Sequence, residues 1–147
     1  MNMKIGKMNI SEKVVIDSNV FVTIFKKSSV NRWMFDKILN GEWTLCLNNE
    51  IFMEYWELLE NKMTPSIAAN IIDLLISHPH VIFIENFIRL NLISIDPDDN
   101  KFCDSCFAAS AKFIVTVDKH FDILEQIEFP KILTYKSYEI RKIYFES

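Results

Sequence analysis

The stretch Ile95–His120 has the sequence IDPDDNKFCDSCFAASAKFIVTVDKH and carries both the fold signal and the chemistry of this chain. An acidic opening leads into a helix pattern, and then into the apolar run 113–117, which ends on Asp118. A short β-branched run of this kind is typical of a strand buried on both faces of a parallel sheet. Because α/β proteins place their chemistry at helix starts and strand ends, we expect this unit to gather carboxylates around a divalent metal ion.

Short apolar runs alternate with amphipathic segments along the rest of the chain. The predicted strands cover residues 14–16, 43–47, 81–84, 113–117 and 132–135; the predicted helices cover 20–25, 28–39, 49–61, 65–77, a segment beginning at 96–99, 120–126 and 137–145. This alternation predicts the α/β class, as a three-layer α/β/α domain. Its central, mostly parallel sheet of about five strands has helices on both faces. Residues 85–94 stay open between a loop, an edge strand and a short helical turn.

The length of 147 residues favours one domain with a substantial core. We predict that this domain spans residues 14–138, with 1–13 as a leader and 139–147 as the end of a C-terminal helix on the same domain. No apolar run approaches the ~20 residues of a membrane-spanning helix. The first residues also lack the apolar region of a secretory signal. Together these features predict a cytoplasmic protein with no membrane partner.

Composition excludes several classes of function. With only two glycines, the chain has neither a glycine-rich phosphate loop nor a Gly-x-Ser-x-Gly elbow. A net charge of −4 argues against a broad basic DNA-binding surface, but not against a nuclease whose acids bind cations. Cys103 and Cys106 have a zinc-like spacing without a second Cys/His pair, so we interpret them as buried small side chains.

Element lengths bring Asp99 and Asp118 to the same edge of the predicted sheet. A helix of about 13 residues from Asp99 descends ~19 Å, and the strand that leads to Asp118 climbs back ~17–20 Å. Asp17 follows the predicted strand 14–16 and shares that edge, where a helix cap and a catalytic role are about equally supported. Thr116 points to the same face as Asp118, so its hydroxyl can orient a carboxylate there.

The remaining acids divide between structure and function. Asp96 and Asp98 are assigned to the helix start, where the helix dipole favours anions. Glu54 lies on the apolar side of its helix, so it is either paired or functional. Asp104 lies ~7.5 Å further along the helix than Asp99. We expect it to face solvent or pair with a lysine, although it competes with Asp99 as a possible ligand.

Basic residues give a weaker signal. The histidines at 78 and 80 flank a proline and are interpreted as loop residues. Five cations are plausible phosphate contacts, although solvated surface charge is the favoured interpretation: Lys26, Lys27, Arg32, Lys101 and Lys119.

Four blocks taken in order resemble the PIN-domain ribonucleases, particularly the bacterial toxin-like members of type II toxin–antitoxin modules. The blocks are VVIDSNV at 14–20, IFMEY at 51–55, DPDDNKF at 96–102 and IVTVDKH at 114–120. The resemblance covers roughly residues 14–138 and departs from the family at Val117, where a glycine is frequent. It implies a compact α/β domain with a central parallel sheet and an acidic metal site.

The function that the resemblance implies is a metal-dependent endoribonuclease, which hydrolyses RNA phosphodiester bonds. Carried over by position, the catalytic and metal-binding acids are Asp17, Glu54, Asp99 and Asp118, with Asn19 and Thr116 in support. The implied cofactor is one or two Mg²⁺ or Mn²⁺ ions, which prefer oxygen ligands. The implied partners are an RNA substrate, an antitoxin protein and a second copy in a homodimer.

Two other classes of function remain open. The main alternative is a catalytically silent PIN-like module, which binds an antitoxin or another protein. A phosphoryl-accepting α/β domain ranks lower. Receiver domains usually carry an acidic pair at the first strand and aspartyl phosphatases an Asp-x-Asp, whereas Ser18 and Asn19 follow Asp17 here.

Overall fold

Five short parallel strands form a single sheet at the centre of the computed structural model, which describes residues 10–85 and 88–145. The strand order is β3-β2-β1-β4-β5, and the strands are β1 (Glu12–Ile16), β2 (Trp43–Leu47), β3 (Val81–Phe83), β4 (Phe113–Thr116) and β5 (Thr134–Lys136). All four strand pairs are parallel, which confirms the predicted α/β class and the predicted strand number. The leader predicted for residues 1–13 lies mostly outside the described residues, and β1 begins within its last part.

Helices connect these strands. They are α1 (Ser18–Phe21), α2 (Arg32–Leu39), α3 (Asn49–Lys62), α4 (Pro65–Ser77), α5 (Asn100–Ala109) and α6 (Ser137–Phe145), with 3-10 helices at Pro97–Asp99 and Lys119–Gln126. On one face of the sheet, Trp43 of β2 packs against Trp33 of α2 and Tyr144 of α6. Cys46 points to the opposite face by the strand period and lies near Cys106 of α5. The sheet is therefore covered on both faces.

Several predicted bounds are wrong in detail. Helix α2 begins at Arg32 rather than at 28, because the Ser29 hydroxyl accepts a hydrogen bond from the Asn31 N–H in a turn that precedes the helix. Val30, which lies in that turn, is 62% exposed. Strand β4 ends at Thr116, and β5 begins two residues later than predicted. The bounds of β2, α4 and α6 agree with the prediction.

The core explains why these elements form. Val14, Val15 and Ile16 are completely buried, as expected for a central strand covered on both faces. All three cysteines are buried and unpaired, which agrees with the prediction of Cys103 and Cys106 as small core side chains. Asn48 and Thr64 cap α3 and α4 by accepting hydrogen bonds from Ile51 N and Ile67 N. Within the described residues, no helix is both long enough and apolar enough to cross a bilayer.

The connection before β3 contains the two histidines that were predicted as loop residues. Gly41 adopts a φ of +84° after α2, and a Cβ there would come within 2.8 Å of the His80 imidazole. That imidazole makes a hydrogen bond of 3.1 Å with the Thr44 hydroxyl. His80 therefore has a structural role at the start of β2, at the far end of the sheet from Asp17.

Candidate active site

Asp17 and Asp118 follow two adjacent strands, β1 and β4, at the carboxyl end of the sheet. The Asp17 N–H donates to the Val115 carbonyl at 2.9 Å, so the parallel pairing continues into the site. Thr116 joins the two acids, since its hydroxyl donates to Asp17 Oδ2 at 2.8 Å and accepts from the Asp118 N–H at 3.0 Å. This single side chain fixes the Asp17 carboxylate and the backbone at Asp118 relative to each other.

Asp99 approaches the same edge from the 3-10 helix that precedes α5. Asp96 caps that helix by accepting a hydrogen bond from the Asp98 N–H at 3.2 Å, as predicted. The imidazole of His120 lies between three acids. Its Nδ1 is 3.1 Å from Asp99 Oδ2, 3.4 Å from Asp118 Oδ1 and 3.9 Å from Asp96 Oδ2. Asp99 and Asp118 therefore meet at one edge, as the helix and strand lengths predict.

Glu54 reaches the site from α3. The next residue, Tyr55, donates its hydroxyl hydrogen to the Ile16 carbonyl at the end of β1, which anchors α3 beside Asp17. The Glu54 side chain is 30% exposed, and its Oε2 lies 2.9 Å from the ammonium nitrogen of Lys101. Glu54 is thus paired, and its charge also acts on Asp17.

Burial and repulsion between acids raise the pKa of two carboxyls in the site. Burial, together with repulsion from Asp99, Asp118 and Glu54, raises the pKa of Asp17 to about 6, although the Thr116 hydrogen bond opposes this shift. Burial also raises the pKa of Asp99. The hydrogen bond to Asp99 raises the pKa of His120, which favours the imidazolium form. The four predicted acids therefore interact with one another through space.

Asp104 differs from its prediction. It is only 2% exposed and pairs with no lysine; its Oδ1 accepts a hydrogen bond from the Leu90 N–H at 2.9 Å. The side-chain amide of Asn100 similarly bonds both the N–H and the carbonyl of Ile93 at 2.8 Å. The two side chains hold the irregular segment before the 3-10 helix against α5. Asp104 thus serves the backbone, and its expectation as a solvent-facing or lysine-paired acid is wrong.

Two further residues depart from expectation. Lys101, predicted as a solvated surface charge, is only 4% exposed and bonds Glu54 and Asp98. His120 was not selected from the sequence, although it lies two residues after Asp118. The only available signal was its place in the turn that begins the 3-10 helix, where its N–H donates to Asp118 Oδ1. Asn19 is exposed and lines a cleft beside α1.

The donor set suits a hard divalent cation. Carboxylate oxygens predominate, which is the ligand type that Mg²⁺ and Mn²⁺ prefer. Three ligand atoms, one each from Asp96, Asp99 and His120, lie within 4.8 Å of one another. A divalent ion among these acids would relieve the repulsion that, together with burial, raises the pKa of Asp17. The residues present therefore fit a metal ion.

The acidic cluster lies at the carboxyl edge of an all-parallel α/β sheet, which is where open α/β sheets bind their ligands. The family model described as "PIN domain" matches residues 13–120, so this protein is a member of the PIN domain family, whose nucleases typically use divalent metals.

Two solved structures share this fold. One is VapBC2 from Rickettsia felis bound to a DNA fragment from its promoter, with a TM-score of 0.59 and 14% identity, covering 84% of this chain and 98% of that chain. The other is FitAB bound to an IR36 DNA fragment, with a TM-score of 0.53 and 12% identity, covering 85% of this chain and 95% of that chain. The search of curated proteins found no match.

Proposed function

We propose that this protein is a metal-dependent endoribonuclease of the toxin-like PIN class. The observation that carries the proposal is that Asp17 is buried beside three acids from separate chain segments, Asp99, Asp118 and Glu54; burial and then their repulsion raise the pKa of Asp17 to about 6. Like charges are brought together at such a cost in proteins mainly where a cation or a reaction needs them. Asp17, Glu54, Asp99 and Asp118 are the proposed catalytic and metal-binding residues, with one or two Mg²⁺ or Mn²⁺ ions.

The residues around these acids have distinct roles. Thr116 holds the Asp17 carboxylate in one orientation, and its acceptance of the Asp118 N–H fixes the second acid. His120 holds Asp99, with its Nδ1 at 3.1 Å from Asp99 Oδ2, and lies 3.4 Å from Asp118 Oδ1. When bound, a divalent ion supplies an activated water and offsets charge on the phosphodiester. The site needs no serine or cysteine nucleophile for this chemistry.

A nucleic-acid substrate is supported by a cleft beside α1, the helix that directly follows Asp17. The cleft has a volume of about 560 Å³, and its lining includes Asn19, Thr23, Lys26, Ser29 and Lys62. Neither Lys26 nor Lys62 forms an ion pair with any described residue, whereas Arg32, Lys37 and Lys112 each pair with a carboxylate. Two free ammonium groups beside the chain segment that carries Asp17 are suited to phosphates of a single strand.

The proposal is tested by incubating the purified protein with RNA in Mn²⁺ and comparing the variant D17N. We expect the wild type to cut RNA and D17N to fall to the background of the assay. The matched control is E12Q, which makes the same carboxylate-to-amide change at the other end of β1. E12Q should cut like the wild type. Equal cutting by wild type and D17N would identify a contaminating nuclease and refute the proposal.

A non-cleaving module that binds a protein is the second candidate. Its support is that the two structural neighbours are toxin components solved with their antitoxins and DNA. We propose an antitoxin from a separate chain and a second copy of this chain as partners. If wild type and D17N both leave RNA intact, yet a short protein encoded beside this chain co-purifies equally with both, the binding function is the better conclusion.

A further inference from the structure

Lys101 is a buried lysine at the entrance to the acidic site. A lysine with only 4% of its surface exposed is unusual unless it is paired. Its ammonium nitrogen lies 2.9 Å from Glu54 Oε2, 2.8 Å from Asp98 Oδ2 and 2.8 Å from the Asp98 carbonyl oxygen. An ammonium group has three N–H donors, and these three acceptors use all of them. Lys101 therefore has no donor left for a substrate phosphate.

The same residue connects two elements that carry site acids. Besides its ammonium contact with Glu54 on α3, its backbone carbonyl accepts a hydrogen bond of 3.1 Å from the Asn48 side-chain amide. Asn48 is the N-cap of α3 and accepts from Ile51 N at 2.9 Å. Lys101 thus joins the start of α5 to α3 at two points, Asn48 and Glu54, which lie six residues apart along the chain. Glu54 is held toward the edge where Asp99 and Asp118 lie.

The ammonium is charged in this position. Its nitrogen lies 2.9 Å from Glu54 Oε2 and 2.8 Å from Asp98 Oδ2, and pairing with two carboxylates keeps the ammonium protonated despite its burial. A fixed positive charge therefore stands beside the proposed metal-binding acids, and it opposes the attraction of any cation to them.

We propose that Lys101 is a positioning residue. Its ammonium holds the Glu54 carboxylate in the position needed for cleavage, and its positive charge lowers the affinity of the site for a metal ion. The inference rests on the proposed function and extends it to a residue outside the four acids. It predicts two effects of opposite sign when the charge is removed. The attraction for a divalent ion increases, and cleavage decreases because Glu54 is no longer held.

The experiment compares K101M with the wild type in Mn²⁺ binding, measured by titration calorimetry, and in single-turnover RNA cleavage at saturating Mn²⁺. Methionine replaces the aliphatic stem, and the carboxylates of Glu54 and Asp98 remain partly exposed to water. We expect Mn²⁺ to bind several-fold more tightly, and cleavage to fall roughly 10- to 100-fold, the range seen when groups that orient metal ligands are lost.

Two further variants keep the outcome interpretable. K101Q is neutral but can still donate to Glu54, so it should bind Mn²⁺ more tightly than the wild type while it retains more cleavage than K101M. If K101M does not fold, K101Q alone decides the sign of the change in Mn²⁺ affinity. The matched control is K112M, which removes the ammonium paired with Glu12 at the opposite end of β1. It should change neither quantity.

The result that overturns the inference is K101M or K101Q binding Mn²⁺ no more tightly than the wild type, which is the behaviour of a purely structural tie. A failure of the proposed function is distinct, because the wild type itself would then bind no Mn²⁺ and cut no RNA. That result overturns both proposals together, whereas the variants alone overturn only the role of Lys101.

Discussion

The two ends of strand β1 carry carboxyl groups whose pKa values shift in opposite directions. Glu12, the first residue of the strand, accepts hydrogen bonds from the Lys112 ammonium and the Tyr144 hydroxyl. Although burial raises its pKa, these partners lower that pKa below its ordinary value. Asp17, just beyond the last residue of the strand, is buried beside other acids, and burial together with their repulsion raises its pKa to about 6. Glu12, at one end of the strand, is therefore stabilised in its charged form, whereas Asp17, at the other end, is destabilised in its charged form.

The difference separates stability from function within one element. At the amino end, Trp43 donates to the Tyr144 hydroxyl at 3.1 Å, and aromatic rings surround the pair. Every polar atom named there has a partner, so that end stabilises the fold. At the carboxyl end, same-sign charges are buried together, which destabilises the metal-free protein. Active sites often lower the stability of a protein in this way.

The largest expected effect is a gain in stability by D17N, although this variant loses RNA cleavage. Above pH 6 in EDTA, D17N should be more stable than the wild type by up to about 3 kcal/mol, since each unit of pKa shift is about 1.4 kcal/mol. The asparagine carbonyl still accepts from Thr116. Thermal denaturation should show a Tm roughly 5–10 °C higher.

The stability difference between D17N and the wild type depends on pH. The folded pKa of Asp17, about 6, lies above its ordinary value of 3.8, so the folded state holds the extra proton between these values. The destabilisation therefore builds up as the pH rises through that window and is absent below it. Wild type and D17N should have equal Tm values near pH 3.8. A D17N protein that is less stable than the wild type at pH 7.5 would contradict this account.

The next effect concerns Thr116. T116V removes the donor to Asp17 and the acceptor for the Asp118 N–H, while it keeps the β-branched shape that suits β4. We expect RNA cleavage in Mn²⁺ to fall roughly 10- to 100-fold, as for other groups that orient ligands. T44V, at the amino end of β2 and at the opposite end of the sheet from Asp17, is the matched control and should cleave normally. Unchanged cleavage by T116V would show that Asp17 needs no fixed orientation.

A smaller effect of opposite sign is expected at the amino end. Y144F removes the donor to Glu12 and leaves Trp43 Nε1 without its acceptor, so it should destabilise the protein by about 1–2 kcal/mol in urea denaturation. Because partners lower the pKa of Glu12, the stabilisation is present above 4.5 and is lost as the pH falls below it. RNA cleavage by Y144F at 25 °C should remain near that of the wild type.

The smallest effect is expected in the cleft beside Asn19. In a D17N background, which leaves RNA uncut, K26A/K62A should weaken RNA binding several-fold. It should also reduce the slope of log K against log salt by about 0.7 for each lost phosphate contact. Fluorescence anisotropy at increasing salt measures both quantities. K142A, on α6 near Tyr144 at the other end of the sheet, is the control. An unchanged slope in K26A/K62A would exclude this cleft from the RNA path.

Much of the fold could be predicted because its signals are local. The apolar runs at 43–47 and 113–117, and the Thr64-Pro65 helix start, depend on side-chain period and backbone preference alone. The bounds that failed depend on tertiary contacts. The start of α2 is set by a turn that Ser29 and the Phe25 carbonyl stabilise from outside the helix. The end of β4 is set where Val117 emerges from the sheet and is half exposed.

The site could be predicted only in part. Comparing the lengths of a helix and a strand was enough to bring Asp99 and Asp118 to one edge, because those lengths follow from residue counts. The partners of Asp104 and Lys101 could not be found in this way. Asp104 bonds the backbone of Leu90, and Lys101 bonds Glu54 on another helix, so neither contact has a sequence pattern.

The sequence by itself determined the succession of strands and helices along the chain and the acids that follow strand ends. The periodicity of the apolar side chains and the lengths of the segments suffice for both. Tertiary structure alone decided which of those acids has a raised pKa. Asp17 and Glu12 are both carboxylates at the ends of one strand, yet one meets Lys112 and Tyr144, and the other meets Asp99, Asp118 and Glu54. Charge interactions depend on distance and burial, which exist only once distant segments of the chain have packed together.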